Sequence, residues 1–330
     1  MMDQLIARFP DQLKEALEIA ENANINHHNR EIHQVYVAGL GGSGIGADFV
    51  AEFIRDECSI PYMVGKGYNI PAYVDKNTLA IASSYSGNTE ETLYSFREIE
   101  KTGAKIVVIS SGGKLINIAK KKGYDYIQVP GGWPSPRACL GFSLVQQMGI
   151  MQRLGYISNA GLESIKSSIA LLHNHEEAMK TEAKAIADQL VNKLPIIYTT
   201  DRMEAVALRL RQQMNENAKT LCWHNVIPEM NHNELVGWRD KNEALAVIYL
   251  RNDDDFKRNS VRIDINQKII QKYTGTIINI YSKGENLIEK AMYLVHLGDW
   301  ITWYLSELRE MDSIEVDVID YLKGELAKVK

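Results

Sequence analysis

Between an apolar run that ends at Ser83 and an amphipathic run that starts at Glu90, the chain reads Ser84-Tyr85-Ser86-Gly87-Asn88-Thr89. Ser84, Ser86 and Thr89 supply hydroxyl donors, and Gly87 lets the backbone turn tightly. A helix starting after Thr89 adds free first-turn amides pointing the same way, and its dipole favours an anion there. Together these make a phosphate cradle without metal or lysine. The plainer reading is N-capping, with Asn88 as the cap and Glu91 as its capping-box partner. Capping needs one hydroxyl or amide, whereas this loop offers four polar residues around a glycine. Glu90 and Glu91 carry negative charge, so they must point away from any bound anion.

A second loop, Gly39-Leu40-Gly41-Gly42-Ser43-Gly44-Ile45-Gly46, follows the first apolar run. It satisfies Gly-x-Gly-x-x-Gly, a weak signal by itself. A dinucleotide site also needs a carboxylate at the end of the next strand to hold a ribose hydroxyl. That strand, Pro61–Val64, runs into Gly65-Lys66-Gly67. The glycine loop is therefore read as a tight structural turn or as a close-approach wall, where Gly42, Ser43 and neighbouring amides meet a sugar or phosphate.

Acid–base candidates lie in the second half. Glu216 falls in a helical run, Met203–Leu221, with the apolar stripe Val206, Leu210, Met214, Ala218 and Leu221. At 100° per residue it projects away from that stripe, with Arg209, Gln212, Gln213 and Thr220. Such a glutamate is commonly a solvated surface residue. The flanking Asn215 and Asn217, poor helix-interior choices, single it out. His232 sits in a polar, loop-like stretch, Pro228–Glu234, and imidazole is the side chain suited to acid–base exchange near neutral pH. His224, Glu229, His232 and Glu234 raise the alternative of a metal site. They lack His-Glu-x-x-His spacing and no cysteine joins them, so no metal is expected.

The elements that must position these residues alternate between apolar strands and amphipathic helices. This pattern indicates α/β architecture, with parallel sheets covered by helices on both faces. The expected organisation is a first domain over 1–150, a helical connection over 151–192 and a second domain over 193–330. The stretches VYVAGLGGSGIGADFVAEFIRDE at 35–57 and PIIYTTDRMEAVALRLRQQMNE at 195–216 read as degenerate copies of one strand–turn–helix unit. In the second half, however, the strand from Ala244 ends in Arg251-Asn252-Asp253-Asp254-Asp255, whose carboxylates would repel a phosphate. One phosphate site is expected, in the first half.

A length of 330 residues with 45% hydrophobic and 24% charged residues fits two globular domains. The net charge of −5 argues against a nucleic-acid partner, which calls for a basic face. Three scattered cysteines and an amino terminus without an export signal point to a cytoplasmic setting. No stretch of about 18 apolar residues is present, so no membrane span is expected.

The segments AGLGGSGIG, SSYSGNTEET, PGGWPSPR, NENAK and PEMNHNELVGW, in this order, closely resemble the bifunctional phosphoglucose/phosphomannose isomerases. The likeness runs from about residue 30 to Lys323. NENAK with PEMNHNELVGW is its most specific part. The resemblance implies two three-layer α/β/α sugar isomerase (flavodoxin-like) domains. It also implies an aldose–ketose isomerase that interconverts glucose 6-phosphate and fructose 6-phosphate, and mannose 6-phosphate as well, without a cofactor.

Such a reaction removes a proton beside a carbonyl and relays it between neighbouring carbons through a cis-enediol, which suits a carboxylate in a dry pocket. Charge developing on the oxygens calls for a positioned cation. By resemblance, Ser84, Ser86 and Thr89 hold the phosphate, with Gly42 and Ser43 against the sugar. Glu216 is the base, His232 opens the sugar ring, Arg137 stabilises the enediolate, and Lys323 assists at the ring oxygen. The resemblance further implies a homodimer in which His232 reaches the partner's site. The same domain type also serves non-catalytic sugar-phosphate regulators, amino-sugar isomerases and etherases. One departure stands out: family members often carry Pro and Thr ahead of the lysine, a stretch linked to accepting mannose phosphates. Here that stretch is Asp312-Ser313-Ile314-Glu315-Val316-Asp317.

Overall fold

β-branched and apolar runs form the strands, and amphipathic helices connect most of them. The computed structural model describes residues 1–26 and 30–329. They divide into two units: Ala7–Asn174 with Lys283–Tyr293, and Met1–Ile6 with His175–Ser282 and Leu294–Lys330.

The amino terminus forms two helices, α1 (Met2–Ala7) and α2 (Phe9–Asn22). Pro10 causes the break, since it has no amide to donate to the carbonyl four residues back and its ring crowds that carbonyl. The first unit continues with β1 (Gln34–Ala38), α3 (Gly41–Ile54), β2 (Tyr62–Gly65), β3 (Thr78–Ser83), α4 (Glu90–Thr102), β4 (Lys105–Ser110), α5 (Gly113–Lys122), β5 (Asp125–Gln128) and α6 (Leu140–Arg153). Gly103 and Gly123, both left-handed, cap α4 and α5.

All five strands are parallel, in the order β2-β1-β3-β4-β5. Every residue of β3 is buried, as a central strand covered on both faces requires. On one face Tyr36, Ala80, Ala82 and Val108 pack with Leu93, Phe96 and Ile99 of α4 and Leu115 and Ile116 of α5. Val35, Val37, Leu79, Ile81 and Val107 are fully buried on the other. In this strand order the connections from β1 and β3 leave in opposite directions. The carboxyl ends of β1 and β3 are thus the topological switch point, where open α/β sheets bind ligands. The glycine loop and the Ser/Thr loop both start there.

The long helix α7 (Ala160–Leu190) precedes the second sheet. The second unit holds β6 (Leu194–Thr200), α8 (Glu204–Glu216), β7 (Trp223–Ile227), β8 (Leu245–Arg251), α9 (Lys257–Ile270), β9 (Thr276–Tyr281), the helix α10 (Leu287–Leu308), which starts in the first unit, and α11 (Asp317–Leu326). Its parallel sheet has the order β7-β6-β8-β9, the first sheet's order with one strand fewer. Two of these elements escape a pattern reading. Strand β7 lies at the sheet edge and carries His224 and Asn225 among its five residues. The buried stripe of α9 is Asn259, Ile263, Asn266 and Ile270, half of it amide side chains, so its apolar periodicity is faint. Asn231 donates to Asn266 Oδ1 at 2.9 Å, which gives one of those buried amides a partner.

Candidate active site

In the first unit, the Ser/Thr loop is built by its own hydroxyls. Ser84, only 2% exposed, brings its Oγ to 2.8 Å from Thr89 Oγ1 and accepts the Gly87 amide at 3.1 Å. The Asn88 amide donates to Ser86 Oγ at 3.2 Å. The capping-box reading fails here: Thr89, not Asn88, is the cap residue of α4, and no side chain caps the helix. Asn88 instead accepts the Lys114 amide at 3.1 Å, while the Leu115 amide reaches the Gly87 carbonyl at 3.1 Å. The loop is thereby clamped to the turn between β4 and α5. Gly87 is left-handed, and an added Cβ would lie 1.9 Å from the Gly112 carbonyl oxygen. Glycine is needed there for space as well as for conformation. Ser86 is exposed and Thr89 half-buried, so both residues stand on the accessible side of the loop beside the first turn of α4. Glu90 turns toward Tyr68, whose hydroxyl donates to it at 3.1 Å, as an anion site at this loop requires.

The glycine run folds into the first turn of a helix, because α3 begins at Gly41. Close backbone approach explains its composition. A Cβ at Gly39 would meet the Ser83 carbonyl at 3.0 Å, one at Gly42 the Pro136 carbonyl at 3.1 Å, and one at Gly46 the Ser143 hydroxyl at 2.5 Å. A narrow crevice results, shared by Gly42, Ser43, Ser83, Tyr85, Ser110 and Pro136. Burial pushes the Tyr85 phenol up to about 12, so it stays protonated and donates to the Pro130 carbonyl at 3.0 Å. Tyr85 also accepts the Trp133 amide, at 3.2 Å, and so fixes the stretch that leads to Arg137. Arg137 is buried in a short 3-10 helix, Pro136–Cys139, beside Gly42. In the dinucleotide reading a carboxylate would follow β2; the residue there is Lys66, paired with Asp48 of α3.

In the second unit Glu216 is the last residue of α8, which ends five residues short of the expected Leu221. The face it shares with Arg209 and Gln213 is not solvated. Arg209, 3% exposed, pairs with Asp299 of α10 at 2.7 Å, and Gln213 is buried beside it. Asn217, fully buried, donates to Thr302 Oγ1 of α10 at 3.0 Å. The polarity that suggests solvent is thus an internal hydrogen-bonded seam between two helices. Glu216 itself is half-buried and lines a cavity of about 330 Å³ with Lys219, Thr220, Glu315, Val316 and Ile319. Neither His232 nor Lys323 lines it. His232 is exposed, ending the 3-10 helix Glu229–His232. Lys323 is exposed on α11, 3.4 Å from Asp320.

Glu234 accepts from Tyr198 at 2.6 Å, from the Trp223 indole at 3.0 Å and from Asn225 at 2.7 Å. Burial, and then Arg211, hold His224 down at about 4, so it is neutral near pH 7. Among the described residues no group of three or more His, Cys, Asp or Glu could hold a metal ion. At the end of β8, Asp255 accepts from Thr200 Oγ1 at 2.9 Å and from the Asn252 amide at 3.0 Å. The second copy of the loop is filled by the chain's own carboxylate.

The described residues contain no helix long and apolar enough to cross a membrane. The fold recurs in the C-terminal domain of glucosamine-fructose-6-phosphate aminotransferase from Francisella tularensis, with a TM-score of 0.76 at 12% identity, covering 94% of this chain and 97% of that one. A family model described as the bacterial phospho-glucose isomerase C-terminal SIS domain matches residues 179–326. A bifunctional phosphoglucose/phosphomannose isomerase of Caldicellulosiruptor bescii is 38% identical over the full length of both chains. The chain belongs to the bifunctional phosphoglucose/phosphomannose isomerase family. The member from Aquifex aeolicus is 35% identical over 89% of this chain and 90% of its own. Membership in this family fits the resemblance carried by the five motifs, and the two parallel sheets fit the expected sugar isomerase fold. Lys219, inside the NENAK motif, is the residue that motif reading passed over. Its signal was a lysine just past a helix end, three positions from a carboxylate of interest.

Proposed function

We propose that the chain is an aldose–ketose isomerase that interconverts glucose 6-phosphate and fructose 6-phosphate, and mannose 6-phosphate, through a cis-enediol. The observation that carries this reading is the 38% identity, over the whole of both chains, to a protein with that bifunctional activity in its name. The reaction moves a carbonyl from one carbon to the next, so the sugar's net oxidation state is unchanged. Proton transfer accounts for it.

Ser86, Thr89 and the first-turn amides of α4 bind the phosphate, while Ser84, buried and bonded within the loop, holds those donors in place. Gly42 and Ser43 form the close wall. Glu216 takes the proton from one carbon and returns it to the next, and Arg137 stabilises the enediolate oxygens. His232 opens the ring and Lys323 assists at the ring oxygen. Both are exposed in the single chain, which supports a homodimer in which His232 completes the partner's site. The two domains of the reading, 1–150 and 193–330 joined by 151–192, carry the phosphate residues and the base respectively, and the setting is cytoplasmic.

Glu216→Gln, followed by NMR of substrate in D2O, tests the base. Turnover should fall by about 10² or more. Deuterium entry at C2 near the wild-type rate would remove Glu216 from that role. Mixing Glu216→Gln with His232→Asn chains tests the shared site. Random mixed dimers carry one intact site each, so roughly a quarter of wild-type activity should return. No recovery in mixed dimers shown to form would place His232 in its own chain's site.

A further inference from the structure

Lys219 follows the end of α8 in a left-handed conformation, φ 53°, one of three non-glycine residues with positive φ among those described. Helices commonly end in this conformation, with glycine or asparagine in it, because a Cβ there is strained. A lysine at this position is costly unless its side chain returns something. Its Nζ donates to the carbonyl of Glu216 at 2.6 Å and to the carbonyl of Glu315 at 2.5 Å, and it stands 3.6 Å from the Glu315 carboxylate. The Thr220 amide reaches back to the Met214 carbonyl at 3.1 Å, and Asn215 donates to the Thr220 carbonyl at 2.7 Å. The last turn of α8 is thus folded onto the 312–316 segment, with one ammonium joining them.

A cation at a helix carboxyl end would offset the dipole from many positions. This one grips the carbonyl of Glu216 itself and lines the cavity that Glu216 lines. We propose that Lys219 is a positioning residue. Its ammonium fixes the backbone of Glu216 and holds the 312–316 segment as the facing wall of the cavity, so that the carboxylate is presented in one orientation. The proposal rests on Glu216 being the proton-transfer base, and the experiment separates the two claims. Lys219 need not touch substrate; it acts through Glu216.

Lys219→Gly removes the ammonium while relieving the strained backbone, so folding should be preserved. Lys219→Asn, which also tolerates the left-handed conformation, is the companion. For both, steady-state kinetics with fructose 6-phosphate should show kcat reduced roughly 10- to 100-fold, the range expected when a reacting group is misplaced by about an ångström. KM should stay within about twofold, because the phosphate donors lie on the Ser/Thr loop. The melting temperature should stay within a few degrees. If both variants keep wild-type kcat while Glu216→Gln is inactive, the proposal falls and the base stands. If Glu216→Gln keeps activity, the base reading falls and the positioning role with it. A loss of kcat matched by an equal rise in KM, or by a collapse in melting temperature in both variants, assigns Lys219 a general structural role and overturns the proposal.

Discussion

Gly87→Ala offers a sharp test of how the Ser/Thr loop is built. Glycine at 87 adopts φ 67°, and an alanine held there is strained by about 1–2 kcal/mol. The added Cβ would lie 1.9 Å from the Gly112 carbonyl oxygen and 2.7 Å from Ser110 Oγ, and the first of these is backbone that cannot swing aside. The clash can be relieved only by moving the loop off the β4–α5 turn. That movement breaks the bonds from the Leu115 amide to the Gly87 carbonyl and from the Gly87 amide to Ser84 Oγ, each 3.1 Å and each worth about 1 kcal/mol. The ordered loop is therefore disfavoured by about 3–4 kcal/mol, and anything that binds it must supply that difference. Affinity for fructose 6-phosphate, measured by calorimetry, should fall roughly 100- to 1,000-fold. Gly123→Ala is the control: its φ is 71° with nothing within 4 Å of the new Cβ, so it incurs strain alone, away from the loop. Wild-type affinity in Gly87→Ala, with the melting temperature unchanged, would refute both the clamped loop and its role in binding phosphate.

Breaking the seam behind Glu216 should be severe. Arg209→Met leaves Asp299 buried without its 2.7 Å partner, a change that typically costs about 3–5 kcal/mol and should lower the melting temperature by roughly 10 °C in calorimetry. Adding Asp299→Leu should restore part of that loss; no restoration would show that the ion pair is not what Arg209→Met removes. His224 gives a pH signature. Its folded-state value, about 4, lies below the ordinary histidine value, so between about pH 6.5 and 4 the unfolded chain binds the extra proton. The neutral ring's contribution is fully present above that window and is lost as the pH falls through it, on the order of 2 kcal/mol once the full shift is discounted for solvent screening of the partly exposed ring. Urea unfolding of His224→Gln against wild type from pH 4 to pH 7 should show a shallower slope in the variant, and equal slopes would reject the assignment.

What the sequence determined rests on local chemistry. The order of most strands and helices, the parallel sheets and the candidate loop follow from apolar periodicity and from residues that must sit at strand ends, such as Ser84 to Thr89; β7 and α9 do not. The duplicated strand–turn–helix was legible too, and so was the difference at Asp253 to Asp255, because charge in a loop is read without knowing its neighbours. Tertiary structure decided the meaning of polar residues. Arg209, Gln213 and Asn217 look like a solvated face on a helical wheel, yet α10 brings Asp299 against Arg209 and Thr302 against Asn217 from 90 and 85 residues away. Asn266 hides part of a buried stripe for the same reason: an amide partnered by Asn231, 35 residues away, is indistinguishable, in one dimension, from an amide in water. The need for glycine at 42 and 87 likewise comes from the Pro136 and Gly112 carbonyls, which the chain delivers only once its sheet has closed. Periodicity reports which face is apolar; only the fold reports what a polar face meets.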